Sequence, residues 1–538
     1  MQELHLNHLD FLVGHNPLII VVMPKYILEF IDSQDYNGHI TLSDGRIVQL
    51  IIQTTSGQVK GIQLSGSYVF RGIPYAAAPV GQLRFKPPQA PPAWEGIKDC
   101  SQFGPIAHQK YDPNSNLPEL KHSEDCLNLN IWTSGRGGQL RPVMVYIHGG
   151  GFISGKGADC DGSRYAAEDD VVYVSLNYRL GALGFLALGD VLGEEYAASG
   201  NNGMMDIIAA LQWVQQNIAA FGGDPGRVTV LGNSAGAKCT ATLYAMKAAE
   251  GLFQQAIAQS GATQSIRDKK TAALTTSRLL EALGLKSEEA GMLLELSAEQ
   301  LIEAQMKVGP DTSSNLHMFG PVADGIRISY DPLAYIREAE KLPPLLIGTN
   351  ENESTMFIFY DPGLQKPDVG TLERLFGENQ LVVWDTFFRH SKTLPGQEAW
   401  SKALTEHLYT IGSIQLAEAV AASGSSVWMY RLAYGGFLGA THGYEGSLIN
   451  YIEDLTHDQA AVSNDPQYVQ SEAQSLAAGM RSAWNSFVRH GNPNVPLLPE
   501  WPLYNDRQSV MMLDLDSYVQ EKLAPPIGIA CAHQVWRA

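Results

Sequence analysis

The chain is poor in positive charge. It carries 37 Lys and Arg against 56 Asp and Glu in 538 residues, a formal net charge of −19 at pH 7. Nucleic acid is not an expected partner, because there is no basic excess to neutralise phosphates. Long apolar runs are also missing. The strongest, PLIIVVM at 17–23, is closed by Pro24, far short of the roughly 18 residues a membrane span needs. Glu3 and Asp10 precede it, with no basic n-region and no clear small-residue cleavage site after it, so we expect neither a signal peptide nor a transmembrane anchor. Cysteine is scarce: Cys100, Cys126, Cys160, Cys239 and Cys531. Five are too few for a disulfide scaffold, and the odd count leaves at least one thiol free. No CxxC or HExxH is present, and we expect no metal.

What is present suits a globular protein with a sizeable core: 45% hydrophobic and 17% charged residues, both ordinary values. Length alone suggests about three or four domains at roughly 150 residues each. The residues that carry chemistry nevertheless run through one stretch without repeats or low-complexity linkers. We therefore expect residues 1–50 to be an N-terminal extension of undefined structure and 51–538 a single catalytic domain. Short β-rich runs alternate with longer helical patterns, which indicates an α/β sheet. PVMVYI at 142–147, VVYVSLNY at 171–178, RVTVL at 227–231, PPLLIG at 343–348 and SVWMYRLAY at 426–434 are the expected strands.

The run at 227–231 leads directly into Gly232-Asn233-Ser234-Ala235-Gly236 and then into the helix-compatible AKCTATLYAMKAAE. A lone GxSxG is weak evidence, but strand, sharp turn and helix is the arrangement that pushes a serine Oγ out above a sheet. Flanking glycines permit the tight backbone, and the following helix N-terminus favours developing negative charge. Such a serine needs a base, and the base needs an orienting acid, in the chain order Ser, Asp or Glu, His. Seven histidines follow Ser234. Only His442 lies in a loop directly after a strong strand candidate. By the same logic the acid belongs to GTNENES after 343–348, where Glu351 and Glu353 are both available and spacing does not choose between them. HGGGF at 148–152 follows a strand upstream of the serine, as a loop of oxyanion-binding N–H groups should.

These segments, with FRGIPYAAAPVGQLRF (70–85), EDCLNLN (124–130), NYRLGALGF (177–185), FGGDPGRVTVLGNSAG (221–236), AIAQSG (256–261), FGPVADG (319–325), HGYE (442–445) and GNPN…WP (491–502), resemble the type-B carboxylesterases, the serine-hydrolase family that includes cholinesterases and fungal lipases. The resemblance extends from about Thr54 to about Tyr504. It implies an α/β-hydrolase fold: a large, central, mostly parallel twisted sheet flanked by helices, with an active-site gorge. It implies Ser234 as nucleophile, His442 as general base and, of the two glutamates, Glu353 as the acid. The implied oxyanion donors are the N–H groups of Gly150, Gly151 and Ala235. Ser260 matches a position that helps place the histidine, and Cys100 and Cys126 match the family's first disulfide.

Departures from the pattern shape the functional expectation. Asn233 stands where relatives usually have Glu, which removes a negative charge beside the nucleophile. The 25 residues between Cys100 and Cys126 contain no tryptophan and are largely polar, unlike a cholinesterase cation site or an amphipathic lipase lid. Cys239 is expected to be a buried, unpaired thiol, and the family's second disulfide has no counterpart. The sequon at Asn352 overlaps Glu353 and is read as accidental. The expected reaction is hydrolysis of a soluble small-molecule or secondary-metabolite ester through an acyl-enzyme, with no cofactor. Acyl transfer or product release by the same triad, and a lipase or sterol esterase, are the alternatives. Localisation and oligomeric state are not assigned.

Overall fold

The computed structural model describes residues 31–34, 40–42, 47–48 and 50–523, apart from 65, 113–116, 118–119, 136–137, 309–317, 367, 377–378, 451–465 and 506. The apolar run at 17–23, most of the segment 311–320 and Cys531 lie outside the described residues.

Eleven strands build the main sheet: β1 (Ile62–Leu64), β2 (Ser67–Pro74), β3 (Asn128–Thr133), β4 (Arg141–Ile147), β5 (Val172–Leu176), β6 (Gly223–Asn233), β7 (Gln255–Gln259), β8 (Leu345–Asn350), β9 (Val427–Leu432), β10 (Ser509–Leu513) and β11 (Tyr518–Glu521). Their spatial order is β1-β2-β3-β5-β4-β6-β7-β8-β9-β10-β11. Pairing is parallel from β5 through β10 and antiparallel at both margins. The parallel centre explains the sequence pattern. Strands covered by helices on both faces read as near-continuous apolar runs rather than alternating ones.

Alternation survives as a division between two cores. Val143, Val145 and Ile147 of β4 face one core, with Val172 and Val174 of β5, Val228 and Val230 of β6 and Leu345 and Ile347 of β8. Met144, Tyr173, Leu231, Leu346, Trp428 and Tyr430 face the other, beneath the long helix Pro466–His490. The side-chain period of two thus assigns every residue of a central strand to one layer or the other. All five expected strands are found, each within four residues of its expected ends.

The segment after 354 is helical at Thr355–Tyr360, Val369–Phe376, Gln380–His390 and Gly396–Thr405. Its apolar residues recur at helical spacing, as at Leu372, Leu375 and Phe376, and close on Trp400, Leu404 and Tyr409 as a third small core.

The expected Cys100–Cys126 disulfide is not formed. Both are buried free thiols within the first core. Cys100 follows the strand Ile97–Asp99, its N–H donating to Lys60 O at 2.8 Å. Cys126 lies near the buried Arg179–Asp206 pair. Each packs as a small apolar side chain that satisfies itself by burial. Desolvation pushes the Cys100 thiol up to about 12 and Cys126 higher still, so neither supplies a thiolate near neutral pH. Alkylation in denaturant without reductant should therefore label both Cys100 and Cys126, read by peptide mass mapping. A pair that resists labelling until reductant is added would restore the disulfide.

Candidate active site

Ser234 sits between β6 and the helix α1 (Ala235–Leu243), half-buried, with φ 57° and ψ −122°. A non-glycine residue in this region is strained, at a cost of order 1–3 kcal/mol. Its neighbours hold it there. Its N–H donates to Gln259 O at 2.9 Å, and its carbonyl accepts from Lys238 N at 3.0 Å. Close approach explains the flanking glycines: a Cβ on Gly236 would run into the Ile147 carbonyl, and one on Gly232 into the Gly236 backbone. Ile147 ends β4, so the same contact fixes the HGGGF loop beside the serine. A Cβ on Gly149 would lie 3.2 Å from Ser234 Cβ. Gly150 and Gly151 take φ of 103° and 62°. The N–H groups of Gly150, Gly151 and Ala235 donate to no acceptor among the described residues, the state required of groups that would receive an oxyanion.

His442 lies in the loop after β9, and its Nδ1 is 2.7 Å from Glu353 Oε2. Glu353 follows β8 and is fully buried, its Oε1 accepting from Asn350 N at 2.8 Å. A ring whose Nδ1 is tied to a carboxylate presents Nε2 for chemistry. His442 Nε2 is buried and has no partner among the described residues. No hydrogen bond joins it to Ser234 in the unliganded protein, where such bonds are often long. Glu351, the other candidate acid, lies elsewhere: its Oε1 is 3.3 Å from Lys402 Nζ, and it is partly exposed.

Ser260 and Asn233 converge on a residue to which sequence reasoning gave no role, Glu445 of the HGYE segment. Ser260 Oγ donates to Glu445 Oε1 at 2.9 Å rather than to the histidine, and Asn233 Nδ2 donates to the same oxygen at 3.2 Å. Asn350 Nδ2 donates to Glu445 Oε2 and also, at 2.6 Å, to Thr441 O, the residue before His442. Glu445 is fully buried, and burial first, then the Glu353 carboxylate, push it up to about 7 against the pull of Asn350. The neutral amide of Asn233 suits this place, since it donates to Glu445 where a glutamate would bring a third carboxylate near the histidine. Also unforeseen was the wall around His442, whose ring lies 4.8 Å from Tyr409 and 5.2 Å from Phe357. Tyr409 is carried on Glu406–Thr410, a widened helical turn of the kind that re-aims side chains at functional sites. Cys239 is the expected buried, free thiol, beside Tyr178, whose hydroxyl donates to His148 O at 3.0 Å.

Serine on the turn after one parallel strand, acid and histidine after two further strands of the same parallel sheet, and helices on both sheet faces together define an α/β-hydrolase. The chain belongs to the carboxylesterase family, whose model matches residues 48–525. It is 35% identical over 501 residues to a para-nitrobenzyl esterase of Bacillus subtilis, covering 89% of this chain and 99% of that one. It is 30% identical over 522 residues to human Carboxylesterase 3, covering 88% and 89%. A solved carboxylesterase of Geobacillus stearothermophilus superposes with a TM-score of 0.78 at 36% identity, over 90% of this chain and all of that one. Among the described residues no helix is long and apolar enough to cross a membrane.

Glu445 gives the fold a pH signature. Its folded pKa of about 7 lies above the ordinary 4.5, so its contribution to stability is complete below about pH 4.5 and is lost as pH rises through 7. In urea unfolding, the stability of the protein relative to Glu445→Gln should fall between pH 5 and pH 8. A difference that stays constant with pH would show that Glu445 does not titrate there.

Proposed function

We propose that this protein hydrolyses a carboxylic ester through an acyl-enzyme, with Ser234 as nucleophile, His442 as general base and Glu353 as its orienting acid, within one catalytic domain over 51–538. The observation that carries the reading is the 2.7 Å contact of His442 Nδ1 with a fully buried Glu353, which leaves Nε2 buried and unpaired. His442 Nε2 accepts the Ser234 hydroxyl proton as Oγ attacks the carbonyl carbon. The tetrahedral oxyanion takes hydrogen bonds from the N–H groups of Gly150, Gly151 and Ala235. His442 returns the proton to the departing alkoxide, and water repeats the sequence to release the acid. Glu353 holds the imidazole tautomer and stabilises the imidazolium without taking the proton itself. Glu445 with Ser260, Asn233 and Asn350 forms a second carboxylate centre that keeps the histidine loop in register.

Two measurements test the assignment, both on short para-nitrophenyl esters. Ser234→Ala should lower kcat roughly 10⁶-fold, by comparison with triads elsewhere, and appreciable residual turnover would overturn the nucleophile. Glu353→Gln should cost about 10⁴-fold in kcat through the wrong histidine tautomer. Glu351→Gln, which breaks only a partly exposed ion pair, should stay within about twofold. The reverse ranking would move the acid to Glu351.

A further inference from the structure

Two buried cations beside the proposed triad, Lys238 and Arg267, make no ion pair among the described residues. Lys238 lies one helical turn beyond Ser234 on α1 and is 4% exposed. Its stem packs where a Cβ on Gly261 would stand 2.9 Å from Lys238 Cγ, and its Nζ is 5.7 Å from the centre of the Tyr409 ring. That ring in turn lies 4.8 Å from the ring of His442. Arg267 follows the β7 crossover and is 5% exposed. Its Nη2 donates to Phe319 O at 3.0 Å, while its Nε is buried with no partner. Nε lies 3.7 Å from where a Cβ on Gly320 would stand, a point 3.5 Å from the ring of Phe152 in the HGGGF loop. The two cations thus approach the site from its histidine side and its oxyanion side.

No carboxylate among the described residues lies within ion-pair distance of either. Glu353 is held by His442 and Asn350, and Asp268, next to Arg267, caps the following helix at Thr271 N. Burial lowers Lys238 to about 8, with the Arg267 charge adding to the effect and Glu353 opposing it, and burial lowers Arg267 to about 9 against the pull of Asp268. A buried, unpaired charge is expensive, and a chain with net charge −19 has carboxylates to spare for pairing. Both cations nevertheless make no ion pair among the described residues, and each packs next to a residue that adjoins the proposed site, Tyr409 for Lys238 and Phe152 for Arg267. Asn233, uncharged beside the serine, removes the group that would most directly repel an anion there.

We propose that Lys238 and Arg267 form a subsite for a carboxylate on the substrate, so that the preferred ester carries a free carboxylate group in addition to the scissile one. The proposal rests on the serine-esterase reading above. The substrate anion supplies the missing counter-charge, with Arg267 Nε and Lys238 Nζ donating to its oxygens, and Tyr409 and Phe152 flanking the chain between carboxylate and ester.

The test compares matched esters that differ in this charge. On the acyl side these are para-nitrophenyl hydrogen adipate and para-nitrophenyl hexanoate; on the alcohol side, O-butyryl lactate and isopropyl butyrate. The ratio of kcat/KM for charged over neutral ester is read within each protein, so a general loss of turnover cancels. The wild type should favour the charged ester by about tenfold or more in one of the two pairs, the scale on which a site built for a polar group rejects an analogue lacking it. Lys238→Met should lower that ratio by about tenfold and Lys238→Arg should retain it. Ratios near or below one in both pairs, or a preference untouched by Lys238→Met, would overturn the subsite while leaving the esterase reading intact. Absence of turnover on every ester would overturn that reading instead. Should Lys238→Met fail to fold, competitive inhibition of the wild type decides: adipate should inhibit neutral-ester hydrolysis more tightly than hexanediol, and equal or weaker inhibition would overturn the proposal.

Discussion

The backbone at Ser234 is the constraint on which the rest of the site depends. One residue turns a strand into a helix within a single peptide, in a conformation that side chains other than glycine seldom adopt. That turn is held by the main-chain bond to Gln259 and by a helix pressed so closely on β4 that Gly236 has no room for a side chain. The contact does more than aim the serine. It locks the end of β4 to the start of α1, so the glycine loop at 148–152 and the first N–H of the helix face one space. The adjoining strand repeats the device: Ser260, at the end of β7, also has a positive φ of 59° and reaches Glu445. Two neighbouring strand ends thus carry hydroxyls on residues of positive φ, Ser234 as the proposed nucleophile and Ser260 on Glu445 of the histidine loop.

Much of this was readable from the chain. Parallel strands buried on both faces leave continuous apolar runs, and every such run identified was a strand. His442 was separable from six other histidines because it alone followed a strand directly. Between Glu351 and Glu353, two residues apart, no periodicity could choose; the family resemblance did, and in the structure Glu353 meets His442 while Glu351 meets Lys402. Glu445 gave no signal of its own, because its role depends on donors more than 90 residues away in sequence. The short antiparallel strands at the margins, such as β11, were not anticipated, since edge pairing leaves little apolar pattern. The disulfide came from resemblance alone and did not survive, for nothing in the spacing of Cys100 and Cys126 distinguishes a bridge from two core thiols. Tyr409 was equally unreadable, because a widened turn inside a helical stretch has no mark in composition.

Electrostatics around the site are arranged in layers that oppose the charge of the whole. The chain is strongly acidic, yet beside the serine stand a neutral amide and a buried lysine, and the two carboxylates nearest the histidine are held in donor networks. Glu353 and Glu445 are held behind the imidazole, while Lys238 reaches the Tyr409 ring that packs against it.

The order of strands in the sheet has a consequence for how such a protein diversifies. Ser234, Glu353 and His442 hang on the ends of β6, β8 and β9, and because these strands run parallel, each stretch of chain between consecutive strands leaves the edge that carries those residues and re-enters the sheet at the opposite edge. Each excursion can therefore be lengthened, shortened or exchanged for another without moving the strand ends. Recombination between homologues at the strand termini should transplant a whole substrate wall while leaving the reactive centre in place. In this architecture the genetic unit of specificity is the excursion between strands, and point substitutions within the sheet have little to offer it.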